Sequence, residues 1–65
     1  MRINREKLVT ELIRRDYTMR KLAELSGVSA QTLSYIRSGK GCSERTGKAI
    51  ADALGIEVDE LREQK

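Results

Sequence analysis

The feature that most constrains this chain is a spacing: Ala23, then Gly27, Val28 and Ser29, then Leu33. A small residue permits a close helix crossing. A glycine four residues later ends the first helix, because only glycine takes the left-handed turn freely. Val28 can plug the corner, and Ser29 can cap a second helix. Leu33 then faces back toward the first. The layout is that of two short helices crossing steeply over a tight turn. It spans Thr18 to Gly39, with Thr18 as the N-cap of the first helix and Leu22, Ala23 and Leu25 as its buried side.

The second helix, Ala30 to Ser38, sorts its residues by side. At about 100° per residue, Ser34, Ser38, Gln31 and Tyr35 fall within roughly 140° of Ala30. Leu33 and Ile36 point away, at about 300° and 240°. One edge is apolar. The opposite face carries small or hydrogen-bonding side chains and no acid.

Sixty-five residues suffice for one domain, here residues 1–65. With no Trp, Phe, Pro or His, the core must be built from Leu, Ile, Val, Met and Ala. No stretch alternates as a strand would, so the expected class is all-α. The net charge of +3 is unevenly spread. Residues 1–28 and 29–48 each carry +3, and residues 49–65 carry −3. A basic middle and an acidic tail suit an oriented contact with a polyanion. The single cysteine, Cys42, excludes an internal disulfide and a cysteine-based zinc site. It fits a reducing cytoplasm. Apolar runs are too short for a membrane span, and Arg2 is not followed by the apolar region of a signal peptide.

The remaining segments read as scaffold. Asn4 caps a helix to Arg15, with a stripe of Leu8, Val9, Leu12 and Ile13, while Glu6, Lys7, Glu11 and Arg14 face water. Met1 to Asn4 leads in, and Tyr17 is a half-buried lid. The segment from Arg37 to Arg45 connects to a fourth helix, Glu44 to Leu54, capped by Ser43. That helix is expected to bury Ala49, Ile50, Ala53 and Leu54, and Gly55 stops it. Ile56 returns to the core. A short last helix opens at Glu57 or Asp59, with Glu57 and Glu60 at capping-box spacing and Val58 and Leu61 facing in. Arg62 to Lys65 is expected to fray.

Leu22-Ala23, Gly27-Val28-Ser29, Thr32-Leu33-Ser34 and Gly39-Lys40 resemble the helix-turn-helix of the phage repressor and Cro family, also called XRE-like. Ile50 to Ile56 and Val58 to Leu61 resemble its last two helices, so the likeness runs from about Tyr17 to Leu61. It implies a five-helix, lambda-repressor-like fold whose second motif helix enters the major groove of double-stranded DNA. Carried over by position, Ala30, Gln31, Ser34 and Tyr35 face the bases. Gln31 can pair bidentately with adenine, and Ala30 can meet a thymine methyl. Tyr35 either reaches a base, methyl or sugar, or packs partly buried. Thr18, Met19 and Arg20 would sit at one run of phosphates, with Lys21 nearby. Lys40, Ser43 and Arg45 would sit at the other. Arg37 can also reach a phosphate. The family's habit implies a homodimer, formed through exposed apolar surface near Ile56, Val58 and Leu61, or only weakly on DNA.

Three departures stand out. Some members pair a base in the first helix with an acid at the end of the recognition helix; Leu12 and Arg37 occupy those places here. Gly47 sits where an apolar residue is usual, which loosens the fourth helix. The loop lacks the common proline and holds Cys42, a redox switch if exposed beside Lys40 or Arg45 and otherwise a plain thiol.

The expected function is therefore a small Cro-like repressor. The competing reading is a protein-interaction module, such as an antitoxin-like partner, using the same face. Catalysis is disfavoured by the absence of His and of a carboxylate pair beside a cleft. No cofactor, metal or small-molecule ligand is expected.

Overall fold

The computed structural model describes residues 1–63. Five helices follow one another: α1 (Arg5–Arg15), α2 (Met19–Ser26), α3 (Ala30–Arg37), α4 (Glu44–Leu54) and α5 (Val58–Leu61). Among the described residues the only sheet-like pairing is one antiparallel bridge between Ile3 and Arg62. None of these helices is long and apolar enough to cross a membrane.

Local signals set the boundaries. Asn4, Thr18, Ser29 and Ser43 each accept a backbone N–H from three residues on, at 3.0–3.1 Å. Each satisfies one donor that the helix leaves open. Gly27 and Gly55 close α2 and α4 in the left-handed region, at φ 74° and 70°. Asp16 does the same for α1 at φ 57°, a conformation Asp tolerates better than most residues. At α5 the Glu57 N–H donates to Glu60 Oε2 at 3.1 Å, as the spacing predicts.

The core is Ile3, Leu8, Leu12, Leu22, Leu33, Ile36, Ile50, Ala51, Leu54 and Leu61. α4 packs on α2 and α5, α2 also meets α3, and α1 meets α5. Each large aliphatic buried this way contributes about 1.5–3 kcal/mol. Tyr17, Val28 and Ile56 pack partly buried against this core, as expected.

Several expectations fail, each for a traceable reason. Ile13 is 73% exposed and Leu25 45% exposed, because Leu8 and Leu12, one turn apart, already fill the inward side of α1, and Leu22 that of α2. Glu11 is buried rather than solvated, because Lys7, Arg14 and Arg15 all reach its carboxylate. On α4 the fully buried residues are Gly47, Ile50, Ala51 and Leu54, while Ala49 and Ala53 are half-buried. At Gly47 the place of the usual apolar side chain is taken from elsewhere: the Met1 thioether fills the notch, and a Cβ there would overlap it. Leu61 is wholly buried, and Ile56 and Val58 pack on the core, so the apolar surface proposed for a dimer is largely consumed.

The first residues form a strap rather than a lead-in. Asn4 N–H donates to the Leu61 carbonyl and Glu63 N–H to the Arg2 carbonyl, both at 2.8 Å. Cys42 N–H donates to the Met1 carbonyl at 2.8 Å, and the Met1 amine donates back to the Cys42 carbonyl at 2.6 Å. Arg62 is bidentate to Glu44 at 2.8 and 2.9 Å. Arg62 and Glu63 are therefore tied down instead of frayed; Gln64 and Lys65, the rest of that expectation, lie outside the described residues.

Candidate nucleic-acid interface

α3 has eight residues, too few to hold a helix by themselves. It is fixed by Leu33 and Ile36, which are buried, and by its ends. Ser29 caps the start, its hydroxyl also donating to Thr32 Oγ1 at 2.8 Å. The far end is held by side chains from another part of the chain. Arg5 Nη1 donates to the Arg37 carbonyl at 3.3 Å, and Arg2 Nη1 donates to the Gly39 carbonyl at 3.0 Å. These two bonds replace the base–acid pair that Leu12 and Arg37 cannot make.

The outward face of α3 divides into two flanks. On one, Ala30, Ser34, Arg37 and Ser38 share a shallow depression with Met19 at the start of α2. On the other, Gln31 Nε2 donates to Tyr35 Oη at 2.9 Å, and Lys40 Nζ lies 5.1 Å from the centre of the Tyr35 ring. Tyr35 is 48% exposed, so the packing alternative gives way to a side chain presented outward with its neighbours attached. The Gln31 amide keeps a second N–H and its carbonyl oxygen for a ligand.

The proposed phosphate residues separate into groups. Thr18 Oγ1 accepts the Lys21 N–H at 3.0 Å, and its own hydroxyl proton has no acceptor among the described residues. Arg20 and Lys21 are exposed beside it. Ser43 caps α4 and donates its hydroxyl to Thr46 Oγ1 at 3.0 Å, so it reaches an anion only by turning away. Arg45 lines a separate depression with Ser29 and Thr32 at the turn between the motif helices.

Charge pairing distinguishes this face from the rest of the molecule. Lys7, Arg14, Arg15, Lys48 and Arg62 form ion pairs. Among the described residues Arg2, Arg5, Arg20, Lys21, Arg37, Lys40 and Arg45 form none. Arg2 and Arg5 were missed from sequence; their place at the end of α3 depends on the strap, which no local pattern announces.

Cys42 is not an activated thiol. Burial pushes its pKa up, and the nearby Glu44 adds to that rise against the opposing N-terminal charge. Lys40 and Arg45 do not contribute, so the plain-thiol alternative stands.

A sequence profile described as helix-turn-helix matches residues 10–61. No curated protein matches the chain. Among solved structures it is similar to PhpD with cadmium complexed with hydroethylphosphonate and to native PhpD with cadmium atoms, each at 28% identity and a TM-score of 0.83. A mutant of hydroxyethylphosphonate dioxygenase gives 28% identity and 0.85. Each match covers 98% of this chain and only 14% of the other.

Proposed function

Because the chain belongs to the XRE-like helix-turn-helix family of DNA-binding domains, we propose that it is a sequence-specific regulator of transcription, a small Cro-like repressor that inserts α3 into the major groove. The observation that carries this reading is the acid-free face of α3, bordered on both flanks by cations that no carboxylate among the described residues neutralises. Base edges give sequence choice and phosphates give affinity. Ala30, Gln31, Ser34 and Tyr35 read bases. Thr18, Met19, Arg20 and Arg37 serve one phosphate run; Lys40, Ser43 and Arg45 serve the other. Residues 1–65 act as one DNA-binding domain, as a homodimer that assembles on the operator, in the cytoplasm and without a cofactor or small-molecule ligand.

Selection from random duplex DNA at physiological salt tests the reading. A recovered palindrome, with half-sites about one helical turn apart, is the expected result. Recovery of no motif would reject sequence-specific binding. On the selected site Gln31→Ala should relax preference at one base position, at a cost of about 1–3 kcal/mol.

The second reading is a protein-interaction module. It is favoured by the occurrence of this fold within 14% of a dioxygenase chain. Fold does not fix function. A protein partner would show a shallow dependence of affinity on salt and tolerate removal of charge at Lys40 and Arg45 together.

A further inference from the structure

Three arginines meet at the end of α3: Arg37 is its last residue, Arg5 donates to the Arg37 carbonyl and Arg2 to the Gly39 carbonyl. Only Arg37 belongs to the proposed interface. Arg37 lines the groove-side depression with Met19, Ala30, Ser34 and Ser38. It also lines a second depression with Arg5, Glu6, Val9 and Thr10. The two depressions share that one residue. Arg2 donates to the Gly39 carbonyl, two residues past the end of α3.

The ordinary explanation is that Arg2 and Arg5 cap α3, since cations suit a helix C-terminus. That explanation covers little of what they offer. Each donates one bond to a carbonyl, and a guanidinium has five N–H groups in a fork that fits a phosphate bidentately. Glu6 shares the depression, yet among the described residues neither it nor the arginines form an ion pair. The three cations therefore keep their charge and most of their N–H donors available to an arriving anion.

We propose that Arg2 and Arg5, bonded over the last carbonyls of α3 beside Arg37, form a third seat for a backbone phosphodiester of the bound duplex, outside the two flanks of the recognition face. The seat rests on the DNA-binding reading. It extends the footprint toward the start of α1. It carries no sequence information, because a phosphate is the same at every step.

The test measures affinity against salt for the full chain, on a selected duplex and on a random-sequence duplex of equal length. Arg2→Gln with Arg5→Gln should reduce the log–log salt slope by about one unit and weaken both duplexes about tenfold at 0.1 M salt. Arg2→Lys with Arg5→Lys keeps the charge and should restore the slope. Lys48→Gln removes a cation already paired with Asp52 and should leave the slope unchanged. An unchanged slope in the double Gln variant, or a loss confined to the selected duplex, overturns the seat. A wild-type chain with no salt dependence instead overturns the DNA-binding reading beneath it. Should the double Gln variant fail to fold, ethylation interference on the wild-type protein decides the matter. Three runs of sensitive phosphates per half-site support the seat, and two reject it.

Discussion

At Glu11, Lys7, Arg14 and Arg15 converge on one buried carboxylate. At the end of α3, Arg2 and Arg5 bond the Gly39 and Arg37 carbonyls, and among the described residues no carboxylate pairs with either of them or with Arg37. Both clusters draw residues from α1, and both use arginine. In the first, the positive charge is consumed internally and serves folding. In the second, backbone carbonyls fix the side chains in place but leave the charge intact. The contrast shows that a count of basic residues says little; what matters is whether each already has a partner.

Substitutions can break or sharpen that contrast. The largest effect on stability is expected at Glu11. Hydrogen bonds from Arg15 and then Lys7 lower its pKa to about 2 from 4.5, against the opposing effect of burial. A carboxyl with a depressed folded-state pKa stabilises fully above its unfolded pKa and loses that contribution as pH falls toward the folded one. Stability should therefore decline as pH falls from about 4.5 to about 2. Glu11→Gln should lower the urea midpoint at neutral pH more than the other changes named here and flatten that acid limb. It should leave the salt slope of DNA binding unchanged. Chemical denaturation across pH, with and without the substitution, checks this.

Arg37→Glu attacks the other cluster. It gives Arg2 and Arg5 an internal partner and turns a cation at the groove into an anion. DNA affinity should fall about a hundredfold at 0.1 M salt, by the equivalent of two phosphate contacts, with the folded state kept. A stable variant that still binds normally would show that Arg37 faces no phosphate.

Arg62→Gln should do less. The guanidinium of Arg62 lowers the Glu44 pKa chiefly through its hydrogen bonds, but both side chains are substantially exposed. A small fall in thermal midpoint is expected, shrinking as salt is added. Asp16→Gly should have the smallest effect, a gain of about 0.5 kcal/mol, as relief of the left-handed backbone outweighs the added chain entropy of glycine. Thermal denaturation reads both.

What could be seen in the sequence follows from how far each signal reaches. Asn4, Thr18, Ser29 and Ser43 mark helix starts through bonds three residues long, and Gly27 and Gly55 mark ends through their own φ. Hence the five elements were legible nearly to the residue. The outward presentation of Gln31 and Tyr35 follows from the same periodicity. Glu11 was misjudged because periodicity records the angle around a helix, not how many cations can fold over a carboxylate. Arg2, Arg5 and the Met1 side chain at Gly47 depend on a strap that joins positions about forty residues apart, as from Met1 to Cys42. Chain-local reasoning has no access to such contacts, and the unexpected part of the basic surface, Arg2 and Arg5, lies among them.

The anchoring of α3 at both ends has a thermodynamic corollary. A reading head clamped by Ser29 at one end and by two arginines at the other has little left to order when it meets its target. Calorimetry should then return a heat-capacity change matching the apolar area covered on contact, without the surplus that accompanies folding coupled to association. Selectivity would come from the fit of a preset shape rather than from adaptation to each sequence.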